Sequence, residues 1–317
     1  MGTISFLLQN MIPFTIPLTV VALGGMFSER SGVVNIALEG IMIFSASAGI
    51  FFIHYMQAGI LNGQALLLVA LLVSMITGIL FSLLHAYASI NLKANQVISG
   101  TALNLFAASF HVFTARMIFG VEGVYFKNEF RIAEIPGLSS IPFIGPIFFS
   151  SVYITTLVGI LILIGAYIVL FKTRFGLRLR ACGEHPQAAD SVGINVFKMR
   201  YAGVMISGAL AGLGGLILII PSFTEFTGDV AGYGFLALAV LIFGQWNPTK
   251  IFLAALFFGL MKTISNSSGL ALLAALQIPA FVYRILPYIA TLFVLTISSK
   301  NSQAPKAAGE PYDQGKR

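Results

Sequence analysis

Run after run of about 20 residues in this chain carries no charge, which is the length a membrane-spanning helix needs. Wound at about 1.5 Å per residue, such a run crosses the roughly 30 Å hydrocarbon core of a bilayer. Inside that core each backbone amide and carbonyl must find a protein partner, which leaves helices and closed β-barrels. The runs are too long and too evenly apolar for the alternating strands of a barrel. The chain therefore reads as an all-α, polytopic membrane protein. Of its 317 residues, 57% are apolar and 9% charged, whereas about 25% are charged in a soluble domain. The mean hydropathy is +0.92. Too little polar surface remains to cover an ordinary cytosolic enzyme.

Apolar windows place spans over residues 9–27, 33–55, 65–90, 97–119, 151–171, 201–221, 233–246, 249–268 and 279–298. A further short helix fits 270–278, for a total of 8–10 spanning or partly spanning helices within a membrane domain of residues 1–299. The start, MGTISFLLQNMIPF, lacks the basic n-region of a cleavable signal peptide, so the first span is expected to stay in the membrane.

A basic island interrupts the spans at 172–200, with Lys172, Arg174, Arg178, Arg180, Lys198 and Arg200 against Glu184 and Asp190. Positive loops stay on the cytoplasmic side. This orients the chain with the 120–150 loop and the N-terminus outside, and SERSG (28–32), Lys93 and QWNPTK (245–250) inside. The outer loop agrees, since Lys127 and Arg131 are outnumbered by Glu122, Glu129 and Glu134. The polar tail, 300–317, reads as disordered and cytoplasmic. The net charge of +7 lies in loops and tail, so it speaks for topology and against a nucleic-acid partner. The single cysteine, Cys182, reads as a reduced cytoplasmic thiol, and the four histidines have no metal-ligand spacing.

Two segments depart from simple spans. Residues 31–40, SGVVNIALEG, place Asn35 and Glu39 four apart, where they would share a helical face. Glu39 would line a gate, pair with Arg30 or cap a short helix, and the structural roles are favoured. Residues 228–247 are short and interrupted by Gly232, Gly234 and Gly244. Glycine-broken segments in both halves of a transporter mark inverted repeats around a central pathway. The run SGALAGLGGLIL (207–218) reads as close helix packing.

Polar residues within spans are costly and should face protein or water. Gln96, Gly100 and Asn104 step along one side of the fourth span. Their amides would either line a path for a polar, uncharged solute or fasten helices together. Asn35, Gln96 and Asn104 are the pathway candidates. His85 reads as a packed, hydrogen-bonded histidine, and Lys262 and Arg284 as snorkelling cations.

No Walker A sequence, GxSxG, HExxH or CxxC occurs. The chain thus has no catalytic constellation, and energy must come from another subunit or an ion gradient. In 176–195, Pro186 opens a short helix that Gly193 ends. Rimmed by Arg178 and Arg180, this segment suits a groove on a peripheral subunit better than a plain solvated loop.

The strings FSERSGVVNIALEGIM (27–42), NQVISGTALNL (95–105), TRFGLRLRACGEHPQAADSVGIN (173–195) and LPYIATLFVL (286–295) carry a family likeness. They resemble the permease subunits of bacterial ABC importers in the branched-chain amino acid and simple sugar superfamily, its nucleoside branch above all. The resemblance implies a type II ABC importer permease fold in the bacterial inner or plasma membrane, moving nucleosides by alternating access. It implies that Ala188, Ala189 and Gly193, with Glu184 and Asp190 beside them, contact the ATPase. It also implies a second, heterodimeric permease, an external substrate-binding lipoprotein and surrounding membrane lipid as partners. ATP and Mg would sit on the ATPase, and this chain would bind no cofactor. A sugar or branched-chain amino acid permease is the alternative within the superfamily. An ion-coupled secondary transporter, with Glu39 and His85 as its only candidate pair, is the alternative from another class. A lipid-modifying membrane enzyme would need clustered catalytic residues, which are not found.

Overall fold

The structure is a computed structural model that describes residues 3–57, 59, 61–137, 139–141, 145, 149–267, 279, 281–283, 285, 289, 291, 292, 296 and 304–315. Its helices are α1 (Thr3–Arg30), α2 (Leu38–Met56), α3 (Gly63–Ala86, continued by a π-helical turn at Tyr87–Asn91), α4 (Gln96–Phe119) and α5 (Ile154–Lys172). They continue with α6 (Arg174–Glu184), α7 (Pro186–Ser191), α8 (Val196–Ser222), α9 (Tyr233–Phe243) and α10 (Pro248–Asn266). Seven of these are long and apolar enough to cross a bilayer, and α9 is a shorter apolar helix. The chain is thus a multi-pass, predominantly helical membrane protein, as expected. The predicted helix at 270–278 and most of the 279–298 span lie outside the described residues.

Asparagines open three of the helices. Asn95 accepts the Val97 and Ile98 amides at 2.9 and 3.2 Å to start α4. Asn195 accepts Lys198 N at 2.9 Å to start α8, and Asn247 accepts Thr249 N at 3.1 Å to start α10. Each satisfies a donor that the first helical turn leaves without a partner.

Helix α8 is the centre of the bundle and packs against α1, α2 and α3. Its small-residue run lets three backbones approach it. A Cβ on Gly208 would lie 2.5 Å from the Gly78 carbonyl of α3, and one on Gly215 would lie 2.5 Å from the Met42 carbonyl of α2. The gain is close packing where no hydrophobic effect drives helices together.

The bundle has two unlike ends. At one, two short antiparallel ribbons tie the loops: β1 (Val124–Tyr125) with β4 (Glu225–Phe226), and β2 (Arg131–Glu134) with β3 (Ser150–Tyr153). Gln9 reaches the Ser150 carbonyl at 2.8 Å, and Asn128 reaches that of Ile220 at 2.7 Å. At the other, basic end lie α6, α7 and the tail. Here the described tail residues differ from the expectation of disorder. Residues 304–315 lie against the protein, because a buried aromatic ring and several backbone hydrogen bonds anchor an otherwise polar sequence.

A second difference concerns α2. It begins at Leu38, so Asn35 stands in a non-helical stretch and does not share a helical face with Glu39. Gly32, at φ +99°, turns the chain out of α1 before that stretch.

Candidate functional site

At the basic end, Thr173 caps α6 by accepting Gly176 N at 3.1 Å, and Pro186 opens α7. Helix α6 buries Gly176, Leu179, Cys182 and Gly183. A Cβ on Gly183 would fall 2.4 Å from the Arg30 carbonyl, so α6 rests directly on the end of α1. Arg30 pairs with Glu184 at 3.5 Å and donates to the Trp246 carbonyl at 3.2 Å. The Trp246 indole N–H donates to Glu29 at 2.6 Å. Arg30 therefore joins α1, α6 and the α9–α10 turn, and it does not pair with Glu39.

The predicted coupling residues divide by exposure. Arg178, Ala188 and Gly193 are exposed, whereas Pro186 and Ala189 are buried. Arg180, Glu184 and Asp190 are half-buried, and the Arg180 guanidinium lies 4.9 Å from the Phe171 ring. Gly193 has φ +81° with open space around it, so its requirement is conformational rather than steric. Leu177 and Val192 are 62% and 75% exposed, two large apolar side chains on a charged face.

The tail spans this end like a strap. Ala307 N donates to Gly183 O at 2.9 Å, and Gly309 N to Gly32 O at 3.2 Å. Arg200 donates to Glu310 O at 2.9 Å, and Lys93 pairs with Asp313 at 3.3 Å. The Tyr312 ring is buried with Cys182, Ala189 and Val196, edge-on to Phe197. Burial pushes the Cys182 thiol up to about 11, against a smaller opposing effect of Arg200.

Deeper in the bundle, the break between α1 and α2 is held by side chains. Gln96 Oε1 accepts Val34 N at 2.7 Å, and His85 Nε2 lies 3.0 Å from Val34 O. Asn104 accepts Gly40 N at 2.7 Å and donates to Ile36 O at 3.0 Å. Asn35 accepts Ala37 N at 3.1 Å and donates to Ser207 at 2.9 Å. Backbone freed from helix at membrane depth needs such partners. Gln96, Gly100 and Asn104 do share one side of α4, and that side faces residues 34–40, with a Cβ on Gly100 only 3.0 Å from Ala37 N. This is the fastening role set out beside the lining role.

The second break meets the first. Glu39, near the start of α2, accepts Gly232 N at 3.0 Å and Gly234 N at 2.5 Å at the start of α9. A carboxylate there satisfies free amides and complements the helix dipole. Sequence reasoning identifies Lys262 as a snorkelling cation but misses Tyr233 and the pairing of the two. Tyr233 and Lys262 lie side by side, the ammonium 5.7 Å from the ring centroid. A lysine inside an apolar span and a tyrosine between two glycines were the available signals. Arg284 lies outside the described residues.

A family profile described as the permease component of branched-chain amino acid transport systems matches residues 7–295. The chain is 44% identical to the guanosine ABC transporter permease protein NupQ of Bacillus subtilis, covering 99% of this chain and 98% of that protein. It is 40% identical to the nucleoside ABC transporter permease protein NupC of Lactococcus lactis, covering 99% of each. A putative glucose ABC transporter permease protein of Haloferax volcanii is 30% identical over 92% of this chain and 91% of that protein. No solved structure matches. The multi-pass bundle, the broken α1–α2 and α8–α9 connections and these full-length similarities together make the chain a member of the branched-chain amino acid transport permease family.

Proposed function

We propose that this chain is the nucleoside-conducting permease subunit of an ATP-driven importer in the bacterial cell membrane. The observation that carries the reading is full-length similarity, at 44% and 40% identity, to permeases named for guanosine and nucleosides. The 30% similarity to a putative glucose permease leaves sugars as the weaker reading. In this proposal the basic end faces the cytoplasm, consistent with the positive bias of its loops. An ATPase that holds ATP and Mg docks on residues 176–195, covering Leu177, Arg178, Ala188 and Val192. A second permease completes the pathway, and an external lipoprotein delivers the solute.

The physical route of coupling follows from the contacts at the basic end. A push on α6 reaches α1 through Gly183 and the Arg30–Glu184 pair, and reaches α9 through Arg30 and Trp246. Helix α9 ends against Glu39 at its other terminus. Docking at the surface is thus mechanically connected to the two membrane-buried breaks.

The test is uptake of radiolabelled guanosine, glucose and leucine by cells that carry the whole transporter, with and without this subunit. Subunit-dependent guanosine uptake is expected, together with co-purification of the ATPase. Subunit-dependent uptake of glucose or leucine but not guanosine would overturn the solute assignment.

A further inference from the structure

A chamber of about 410 Å³ opens toward the ribbon-bearing end, between α1, the end of α8, the start of α9 and α10. Small-molecule sites commonly enclose about 300–1,000 Å³. Its wall combines Asn10 and Phe14 from α1, Ser222 from α8, Tyr233 from α9, and Lys262 and Asn266 from α10. Its floor adjoins the Glu39 junction, since Tyr233 sits between the two glycines Glu39 contacts or abuts.

Three observations distinguish this chamber from ordinary packing space. Tyr233 is only 3% exposed, yet its hydroxyl has no hydrogen-bond partner among the described residues. The buried Ser222 hydroxyl is likewise without one. Buried polar atoms are nearly always paired, so two lone hydroxyls in one chamber call for a ligand or water. The Lys262 ammonium, over the Tyr233 ring, has no carboxylate within ion-pair distance among the described residues. No carboxylate lines the chamber among those residues either.

The chemistry of these groups selects a class of solute. An ammonium has three donors and no acceptor, and the two hydroxyls can also donate. The Phe14 and Tyr233 rings, 6.5 Å apart and tilted, offer apolar surface to a planar group. The wall therefore suits a planar, acceptor-rich heterocycle that also carries hydroxyls, and the nucleoside reading above narrows this to an uncharged one. By contrast, Asn104 and Asn35 spend their amide oxygens on the backbone of residues 34–40, and Gln96 engages that backbone through its Oε1 while its buried Nε2 has no partner among the described residues.

We propose that this chamber is a transit site for nucleosides whose base bears an exocyclic oxygen, with the Tyr233 hydroxyl and the Lys262 ammonium as its polar contacts. The proposal rests on the nucleoside reading above and adds to it both a place and a preference. Guanosine, inosine and uridine present a carbonyl oxygen to Lys262. Adenosine presents an amino group there, which an ammonium does not favour.

The test compares wild type, Tyr233→Phe and Lys262→Gln in the complete transporter. Uptake of guanosine and adenosine is measured beside complex assembly and basal ATPase activity. Tyr233→Phe is expected to lower guanosine uptake about three- to tenfold, the value of one lost hydrogen bond. Lys262→Gln is expected to shrink the guanosine-to-adenosine uptake ratio about tenfold, since a site built around a polar contact discriminates through it. A second measurement is the thermal midpoint of the permease–ATPase complex, without the lipoprotein, in millimolar guanosine or adenosine. Wild type should be stabilised more by guanosine, because ligand binding stabilises the state it binds. Variants with unchanged uptake rate and ratio, in a wild type that imports nucleosides, would overturn the chamber and leave the permease reading intact. If the variants fail to assemble, the wild-type shift decides: equal or absent shifts overturn the proposal. A wild type that imports no nucleoside overturns the broader reading instead.

Discussion

The carboxylate of Glu39 accepts the Gly234 amide at 2.5 Å, which joins the start of α2 to the start of α9. Both helices begin among buried residues between apolar spans, and each break would otherwise leave backbone donors without partners. A Cβ on Gly234 would lie 2.4 Å from Glu39 N and 2.5 Å from Glu39 Cα. The junction therefore requires both a carboxylate on one side and a missing side chain on the other. Glu39→Gln should cost about 1–3 kcal/mol, because its amide end turns a donor toward the α9 amides. Gly234→Ala should cost about 1–3 kcal/mol through overpacking against rigid backbone. Thermal unfolding of the purified complex measures both, and a neutral Gly234→Ala would contradict the geometry.

Asn104→Leu separates the fastening role from the lining role. It removes the acceptor for Gly40 N and the donor for Ile36 O together. Leaving two buried backbone groups unpaired should cost about 2–5 kcal/mol. The expected result is a lower yield of assembled complex whose surviving fraction keeps the wild-type solute preference. Normal assembly with an altered preference would instead make Asn104 a contact of the path.

On the docking face, Val192→Asp and Leu177→Asp should leave the fold intact, since both side chains are largely exposed. Their effect should fall on the partner, with ATPase co-purification reduced about tenfold, as for a lost interface anchor. Gly193→Val is a different case, because φ of +81° strains a β-branched residue by about 1–3 kcal/mol. It should destabilise the turn after α7 locally, as read by hydrogen exchange. Equal co-purification by all three variants would remove the docking assignment.

Tyr312→Ala should release the strap. The ring's contacts with Cys182, Ala189 and Val196 would be lost, at about 3–5 kcal/mol for a buried aromatic. Faster amide exchange over residues 183–200 and 304–315 is expected, with the distant ribbons unaffected. Unchanged exchange at Gly183 and Ala307 would mean that the strap is held by its backbone bonds alone.

The pH dependence of this region has a definite sign. The Cys182 thiol titrates at about 11 in the folded chain and at 9.0 when unperturbed, owing first to burial. Below pH 9 both states hold the proton, and stability is flat with respect to this group. Between pH 9 and about 11 the unfolded chain loses its proton first, so folding weakens as pH rises. The difference in stability between wild type and Cys182→Ala should therefore change across that window and stay constant below it.

Much of the architecture was legible because its causes are local. Charge-free windows operate within one helix, and the predicted spans between residues 9 and 268 fall on the observed helices. The glycines of 207–218 also announced a close-packed helix. What was not legible depends on residues far apart in sequence. Asn104 serves a break more than 60 residues away, and Glu39 caps a helix more than 190 residues away. The strap was hidden for a related reason. Its composition is that of a solvated tail, and it takes a fixed place through the packing of Tyr312 against Phe197 and Arg200 together with bonds to Gly183, Gly32 and Arg200, all distant in sequence.

The burial of Cys182 has a practical corollary for mapping this membrane protein. Thiol reagents attack the thiolate, and a fully enclosed thiol titrating at about 11 is almost wholly protonated near neutral pH. The native chain is therefore already a silent background for maleimide scanning. A cysteine introduced at exposed His185 or exposed Glu134 would be the sole reactive thiol among the described residues. Impermeant and permeant reagents applied to intact cells would then report the sidedness of each end without first disturbing the packing beneath Tyr312.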